Sequence, residues 1–432
     1  MGASYSEPVS ELVPLHSGNT KTGASLEGLE VGTRSHTSYG GRLQEESYHR
    51  SDWKEWWETK LRLWFGPEPI TLILSVVGLM VATATERMTF KMSVDRMTPF
   101  RVTLILMTIS VSFLVYSVVA SIKLRFTTKI TPRMMEFPHK KLFMMAVVDT
   151  LSLSGLILSA AAMTPTMTVI LLHISTPFVV LGSKWNFPTR EYSVSQLRGV
   201  YLITLAVVIS IVRHVVDLVV GVNVGYALSS IFYVAAAALH GLGTVMKEKA
   251  IVEWSQPLDI HYISSWLFFY QIIVAFLLSP ILYLLQGLSD GFRGLSFPIS
   301  SMLENISDGV QCFLGSDPPI SQHSDYDASD CECEFSYVLV FLYVISNVVV
   351  LECIGRVLQT GNKVLGYAMA AAVLFAFVAL GLYDSKVDAD HAYDRVVGSI
   401  GISDFISIGL LLLGINFHHS DSEQADEHPT SM

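Results

Sequence analysis

Apolar residues in this chain gather into long runs separated by short polar connectors. Runs of membrane length lie near 69–90, 102–122, 142–163, 166–183, 199–220, 224–246, 262–285, 335–357, 362–382 and 400–416. Each is close to the ~20 residues that an α-helix needs to cross the hydrocarbon. The pattern predicts an all-α polytopic membrane protein with ten transmembrane helices. The short gap at Pro165 reads as a tight turn between the third and fourth spans. An even count places both tails on one side.

The connectors set that side. Residues 123–141 hold Lys123, Arg125, Lys129, Arg133, Lys140 and Lys141, and the next same-side connectors add Lys184, Arg190, Arg198, Lys247 and Lys249. The opposite connectors are poor in Lys and Arg apart from Lys91, Arg96, Lys386 and Arg395. The positive-inside rule therefore makes both termini cytosolic. The long loop 286–334 falls on the other side. It carries Cys312, Cys331 and Cys333, a glycosylation sequon at Asn305-Ile306-Ser307, and nine acidic residues against Arg293 alone. Cysteines and a sequon both suit an oxidising lumen, so two independent lines agree.

Composition is consistent with this. Of 432 residues 51% are hydrophobic and only 15% charged, whereas soluble domains carry about 25% charged residues. The net charge of −10 resides mainly in loops and tails and does not suggest a nucleic-acid partner. Residues 1–50 are polar and lack the apolar core of a signal peptide, so the first span is expected to act as the insertion signal. Segments 1–50 and 417–432 read as cytosolic tails; Glu11-Leu12-Val13-Pro14-Leu15 loosely resembles an acidic-dileucine sorting signal. Between the first tail and the first span, residues 51–67 hold Trp53, Trp56, Trp57 and Trp64 among Lys54, Glu55, Glu58 and Lys60. That spacing suits an interfacial helix, an anchor in the plain reading and a gate in the sharper one.

Polar groups inside the runs are costly and thus candidates for a transport path. Asp149 lies inside the third span with no basic neighbour in sequence. It either lines a substrate or proton pathway or bonds to a neighbouring helix. Glu86 and Arg87, late in the first span, form either an interfacial ion pair or part of a cavity. His173 stands mid-span; an imidazole titrates near pH 6.5 and suits proton sensing, though hydrogen bonding to another helix is an equal reading. Pro177 removes a backbone donor and bends its helix, leaving polar backbone beside Ser175. His240, Tyr270, Gln271, Asn347 and Tyr367 complete the mid-span polar set, while Arg213, His214 and Asp217 mark the end of the fifth span. Cys353, in an apolar run, reads as an inert core residue. No catalytic motif or cofactor fingerprint is present, so no enzyme activity and no cofactor are expected. Cys312, Cys331, Cys333 and His323 could formally bind zinc, but an oxidising lumen argues against it.

Four stretches carry a resemblance to the chloroquine resistance transporter family of the drug/metabolite transporter superfamily, over about residues 68–416. They are Val147-Val148-Asp149-Thr150, then Leu171-Leu172-His173-Ile174-Ser175-Thr176-Pro177, then Phe268-Phe269-Tyr270-Gln271, and the loop from Asn305 through Cys312 to Cys331-Glu332-Cys333. In the eighth span Ser346-Asn347 stands where that family has an Asp-Asn pair, so the expected cavity is less negative there. The family loop has four cysteines and this one three. The resemblance implies a short helix ending in Cys312, bridged to Cys333, with Cys331 as the alternative partner. It also implies two inverted five-helix halves, 68–220 and 221–416, rocking around a midplane cavity. Glu86, Arg87, Asp149, His173, Ser175, Tyr270, Gln271, Ser346, Asn347 and Tyr367 would line that cavity, with Arg87 disfavouring dicationic drugs.

The implied function is proton-driven movement of amino acids, short peptides or amphipathic cationic drugs such as chloroquine. Transport would run from an acidic vacuolar or lysosome-like lumen to the cytosol, by a carrier expected to be a monomer surrounded by lipid. The rival within the superfamily is a plastid-type thiol or glutathione carrier, or a nucleotide-sugar or sugar-phosphate antiporter. Anionic substrates would call for more cations in the second half than Lys247 and Arg356, which lie near the ends of their spans. A multi-span receptor without transport is the rival from another class.

Overall fold

The structure is a computed structural model and describes residues 67–126, 132–220, 224–254, 258–290, 299–316, 333–358, 362–390 and 402–420. The tail 1–50, nearly all of the Trp-rich segment 51–67, Cys331 and Glu332 lie outside the described residues. Its contacts separate the body, from Ser75 to Met432, from a small unit at Glu7–Leu74.

Among the described residues, ten spans are long and apolar enough to cross a membrane, the fourth made of two helices. They are α1 (Pro67–Arg96), α2 (Arg101–Phe126), α3 (His139–Ala160), α4 (Pro165–Leu172) with α5 (Ser175–Asn186), α6 (Val194–Val220), α7 (Val224–Val252), α8 (Ile260–Asp290), α10 (Ser336–Leu358), α11 (Asn362–Asp390) and α12 (Ile402–Ser420). Helix α9 (Met302–Phe313) lies in the long loop between the seventh and eighth spans. The chain is thus an all-α multi-pass membrane protein, and no strand occurs among the described residues. The bundle has a loop end, where α9 sits, and a tail end opposite.

The fourth span is two helices, not one. Pro177 has no N–H to offer the carbonyl of His173, and the ladder tightens there to compensate. His173, Ile174 and Thr176 each donate to the residue three back, and the Thr176 N–H takes the His173 carbonyl at 3.1 Å. The bend expected from Pro177 is therefore present, sharpened into a break at His173-Ile174. In α8 the equivalent problem at Pro280 is met by a side chain: the Ser279 hydroxyl donates to the Phe276 carbonyl.

Several boundaries differ from the sequence expectation. The first helix continues past residue 90 to Arg96, so Lys91 is a buried helical residue and not a connector charge. Lys91 compensates for its burial by pairing with Asp95 at 2.5 Å and donating to the Ala160 carbonyl at 3.0 Å. The last helix continues to Ser420, so residues 417–420 belong to the bundle and not to a tail.

Helix pairing follows a regular scheme. Counting α4 with α5 as one span, spans 2 and 7, 4 and 9, and 5 and 10 pack on each other. The packing of span 3 on span 7 recurs as that of span 8 on span 2. That of span 3 on span 6 recurs in span 8 and span 1, which meet where Asn347 donates to Glu86 and where Gly78 approaches Cys353. For these pairs, adding five to a span number exchanges one contact for the other. Close approaches rely on glycine. A Cβ at Gly199 in α6 would lie 2.5 Å from the His418 nitrogen and 2.6 Å from the Gly414 carbonyl of α12. The core between the spans is filled by Ile109, Leu153, Ile157, Met167 and Leu171, whereas Val118, Phe276, Leu277 and Leu382 point outward, as lipid-facing residues must.

Candidate functional site

Two polar networks lie inside the bundle. The first centres on Asp149, the middle residue of the α3 helix by count and only 6% exposed. Its Oδ2 accepts from the Lys247 ammonium at 2.7 Å and from the Gln271 amide at 3.3 Å. Lys247 is on α7, Gln271 on α8, so the carboxylate joins three spans. Gly243, one turn before Lys247, makes room: a Cβ there would stand 3.0 Å from Asp149 Oδ1. A bare carboxylate at that depth would cost several kcal/mol, and Lys247 with Gln271 offsets this.

The second network joins spans 1, 2 and 8. Asn347 on α10 donates to Glu86 Oε1 at 3.3 Å and accepts from the Tyr116 hydroxyl at 3.0 Å. Glu86 is 1% exposed, and its other oxygen has no hydrogen-bond partner among the described residues; Arg87 lies 3.9 Å from it. Tyr233 donates to the Thr168 carbonyl at 3.1 Å, crossing from α7 to α4. The two networks obey the five-span rule: Asp149, Lys247 and Gln271 use spans 3, 6 and 7, and Asn347, Glu86 and Tyr116 use spans 8, 1 and 2.

The sequence-predicted residues are thereby sorted. Asp149 and Gln271 come together, as do Glu86, Arg87 and Asn347. His173 occupies the break of the fourth span, and buried Ser175 begins α5 with its carbonyl against Gly241. Ser346 is buried beside Asn347. Tyr270 is separated from Gln271: its hydroxyl meets His139 Nδ1 at 3.1 Å within an aromatic group with Phe143, Trp266 and Phe269 at the tail end. Tyr367 stands apart at 62% exposure, and no described hydrogen bond or ring contact ties it to either network. Lys247, expected at the end of its span, reaches inward to the middle of the third. Tyr116 and Lys247 were not singled out as cavity residues from sequence. The signal available for Lys247 was a cation four residues after Gly243 on one helix face.

The ends of the bundle carry further polar ties. At the tail end Lys123 pairs with Asp259 at 3.2 Å and His261 meets Glu352 at 2.7 Å, joining spans 2, 7 and 8. Asp259 also caps α8 by accepting from the backbone nitrogens of His261 and Tyr262. Glu253, just beyond α7, is bonded by Lys141 at 2.5 Å, which holds its carboxyl below the usual range. At the loop end Arg101 is buried and donates to the carbonyls of Leu158 and Thr98.

The long loop is anchored by α9. Gly309 faces Thr103 so closely that a Cβ would lie 2.4 Å from its hydroxyl. Cys312 and Cys333 form a disulfide, the pairing that the family resemblance implied, tying α9 to the start of α10. Both sulfurs are thereby removed from any zinc site. Asn305 of the sequon lies within α9, and its amide nitrogen donates to the Pro99 carbonyl at 3.3 Å. Burial, with Glu304 adding to it, raises the Asp308 carboxyl above the usual range.

Comparisons with known proteins agree with this architecture. The chain is 23% identical over 314 residues to the chloroplastic protein CLT3 of Arabidopsis thaliana, covering 70% of this chain and 64% of that protein. It is 20% identical over 308 residues to Crt homolog 1 of Dictyostelium discoideum, covering 67% of this chain and 62% of that protein. The match thus spans less than two thirds of each relative's length. The model of the CRT-like, chloroquine-resistance transporter-like family matches residues 72–414, from within α1 to within α12, and takes in both buried networks. A family match over most of the chain, on a ten-span bundle with charged networks inside, makes this protein a member of that transporter family.

Proposed function

We propose that this protein is a secondary carrier that uses a proton gradient to move small organic solutes from an acidic, lysosome-like vacuole to the cytosol. Amino acids, short peptides and amphipathic cationic drugs are the substrate class. The observation that carries this reading is Asp149, a mid-span carboxylate held by a cation and an amide from two other spans. A buried ion pair shared among three helices is poor value for stability alone, and it lies where a solute crossing the bilayer must pass. The two five-helix halves, 68–220 and 221–416, would rock about the region of the two networks, exposing it to either side in turn. Asp149 and His173 would respond to solute and proton; Glu86, Arg87, Ser175, Gln271, Ser346 and Asn347 would shape the path. Tyr270 and Tyr367 would act at its margin. Both termini would face the cytosol and the α9 loop the lumen.

The second reading is a plastid-type carrier of thiols such as glutathione, favoured by the similarity to a chloroplastic relative. One experiment addresses both. Purified protein in vesicles with an imposed pH gradient is offered a panel of labelled amino acids, dipeptides, chloroquine and glutathione, and wild type is compared with Asp149→Asn. Gradient-dependent uptake that falls to the level of protein-free vesicles in Asp149→Asn is expected. Flux of glutathione alone, indifferent to the gradient, would replace the first reading with the second. Undiminished flux in the variant would remove Asp149 from the mechanism.

A further inference from the structure

The Asp149–Lys247 pair is lopsided in a way that defines its chemistry. Asp149 is central in its helix and 6% exposed, with a short side chain that keeps its carboxylate at that depth. Lys247 is 29% exposed and lies five residues before the end of α7 at Val252. At 1.5 Å per residue its Cα is only about 7 Å below that end, a distance its four-carbon stem can span by turning outward. A lysine so placed ordinarily reaches for the interface; here it reaches inward. The ammonium can therefore swing off Oδ2 while staying within reach of the site, whereas the carboxylate stays buried and needs a replacement cation.

Gln271 supplies the second half of the observation. It is fully buried and its amide nitrogen is committed to Asp149 Oδ2. Its Oε1 is buried without a hydrogen-bond partner among the described residues. That oxygen is a vacant acceptor next to the carboxylate, the complement of an N–H donor that is absent. A lysine ammonium satisfies only the carboxylate. An ammonium carried by a solute could be held by Asp149 and Gln271 Oε1 together.

We propose that Lys247 is a built-in counter-ion that a transported solute must displace from Asp149. Within the substrate class proposed above, the site consequently prefers amino acids and short peptides, which bear both an ammonium and a carboxylate, to cationic amines and to simple anions. The inference rests on Asp149 being part of the solute path, as proposed above. The incoming ammonium takes Asp149 and Gln271 Oε1, and the displaced Lys247 remains close enough to meet the solute carboxylate. A simple amine leaves the Lys247 charge uncompensated beside its own, and like-charge juxtaposition costs several kcal/mol. A simple carboxylate leaves Asp149 bare. Only the zwitterion exchanges one internal ion pair for two.

The test is ligand-induced thermal stabilisation of the full chain in detergent, which reads binding and needs no flux. Four probes are compared: leucine, alanyl-alanine, 3-methylbutylamine and 4-methylpentanoate. Wild type should be stabilised by the two zwitterions at concentrations at least ~tenfold below those needed of either singly charged analogue. Lys247→Met should lose that preference and respond to the amine at least as well as to leucine. Lys247→Arg should keep the wild-type ranking, and Asp149→Asn/Lys247→Met should respond to none of the four. If Lys247→Met does not fold, Lys247→Gln retains a donor to Asp149 and should show the same inversion. A wild type that answers to the amine as strongly as to leucine, or to no probe, overturns the proposal. So does a Lys247 variant that ranks the probes as wild type does. Absent gradient-driven uptake with the inversion intact would strike the transport reading alone.

Discussion

Gly241→Ala isolates the contact that seats the start of α5 against α7. Gly241 lies on α7 against the first residue of α5, and a Cβ there would meet the Ser175 carbonyl oxygen at 2.4 Å, with the Ser175 C and Cα at 3.1 Å. An ordinary carbon–oxygen contact is near 3.4 Å, so α7 and α5 must part by roughly 1 Å. No side chain can rotate to absorb this, since all three atoms are backbone. Neighbouring positions are equally tight: a Cβ on Gly182 of α5 would already lie 3.1 Å from Leu242 and 3.3 Å from Val245. Overpacking of this kind costs about 1–3 kcal/mol. The better helix propensity of alanine returns up to ~1 kcal/mol, so the net loss at the middle of these ranges is about 1.5 kcal/mol. Gly409 on α12 is the matched control, because a Cβ there meets nothing within 4 Å. Gly409→Ala should be neutral or more stable by up to ~1 kcal/mol. Melting of both variants in detergent, followed by size-exclusion chromatography of heated samples, should place Gly241→Ala below wild type and Gly409→Ala at or above it. If Gly241→Ala melts at or above wild type, the backbone contact at Ser175 does not exist as described.

Two further outcomes follow from the loop. The Cys312–Cys333 bridge has a sequence separation of 21, for which loop closure predicts about 3 kcal/mol; Cys312→Ser or reductant should lower the melting temperature, and peptide mapping should recover Cys312 linked to Cys333. An unchanged melting temperature under reductant would mean that α9 is held by packing alone. Asp308 is raised by burial first and Glu304 second, so the folded protein holds that proton more tightly than the unfolded chain. Stability should accordingly rise as pH falls through the range above the ordinary aspartate value of about 3.9, the gain being complete below it. Asp308→Asn should flatten this part of the profile, just above the ordinary aspartate value, read by hydrogen exchange in α9; a wild-type slope of the opposite sign would contradict it.

Much of the fold follows from local sequence. A run of twenty apolar residues can satisfy its backbone in a bilayer only as a helix, so the ten spans were legible along the chain, as was the bend at Pro177. Boundaries were less so. Lys91 and Arg96 read as connector charges because, although Asp95 is a local i,i+4 partner, nothing local reveals that the Ala160 carbonyl 69 residues away joins it in holding a lysine inside the bundle. The same limit governs the site. Asp149 stood out because an isolated charge in an apolar run needs an explanation, yet its partners lie 98 and 122 residues away in sequence. Tyr270 and Gln271 are neighbours that a helix turns about 100° apart, so one reaches an aromatic cluster and the other the buried carboxylate. Sequence alone determines which residues enter the membrane, since transfer from water depends on each side chain separately. Which buried charge meets which is decided by tertiary packing, because an ion pair is made by two helices at once and neither strand of sequence contains the distance between them.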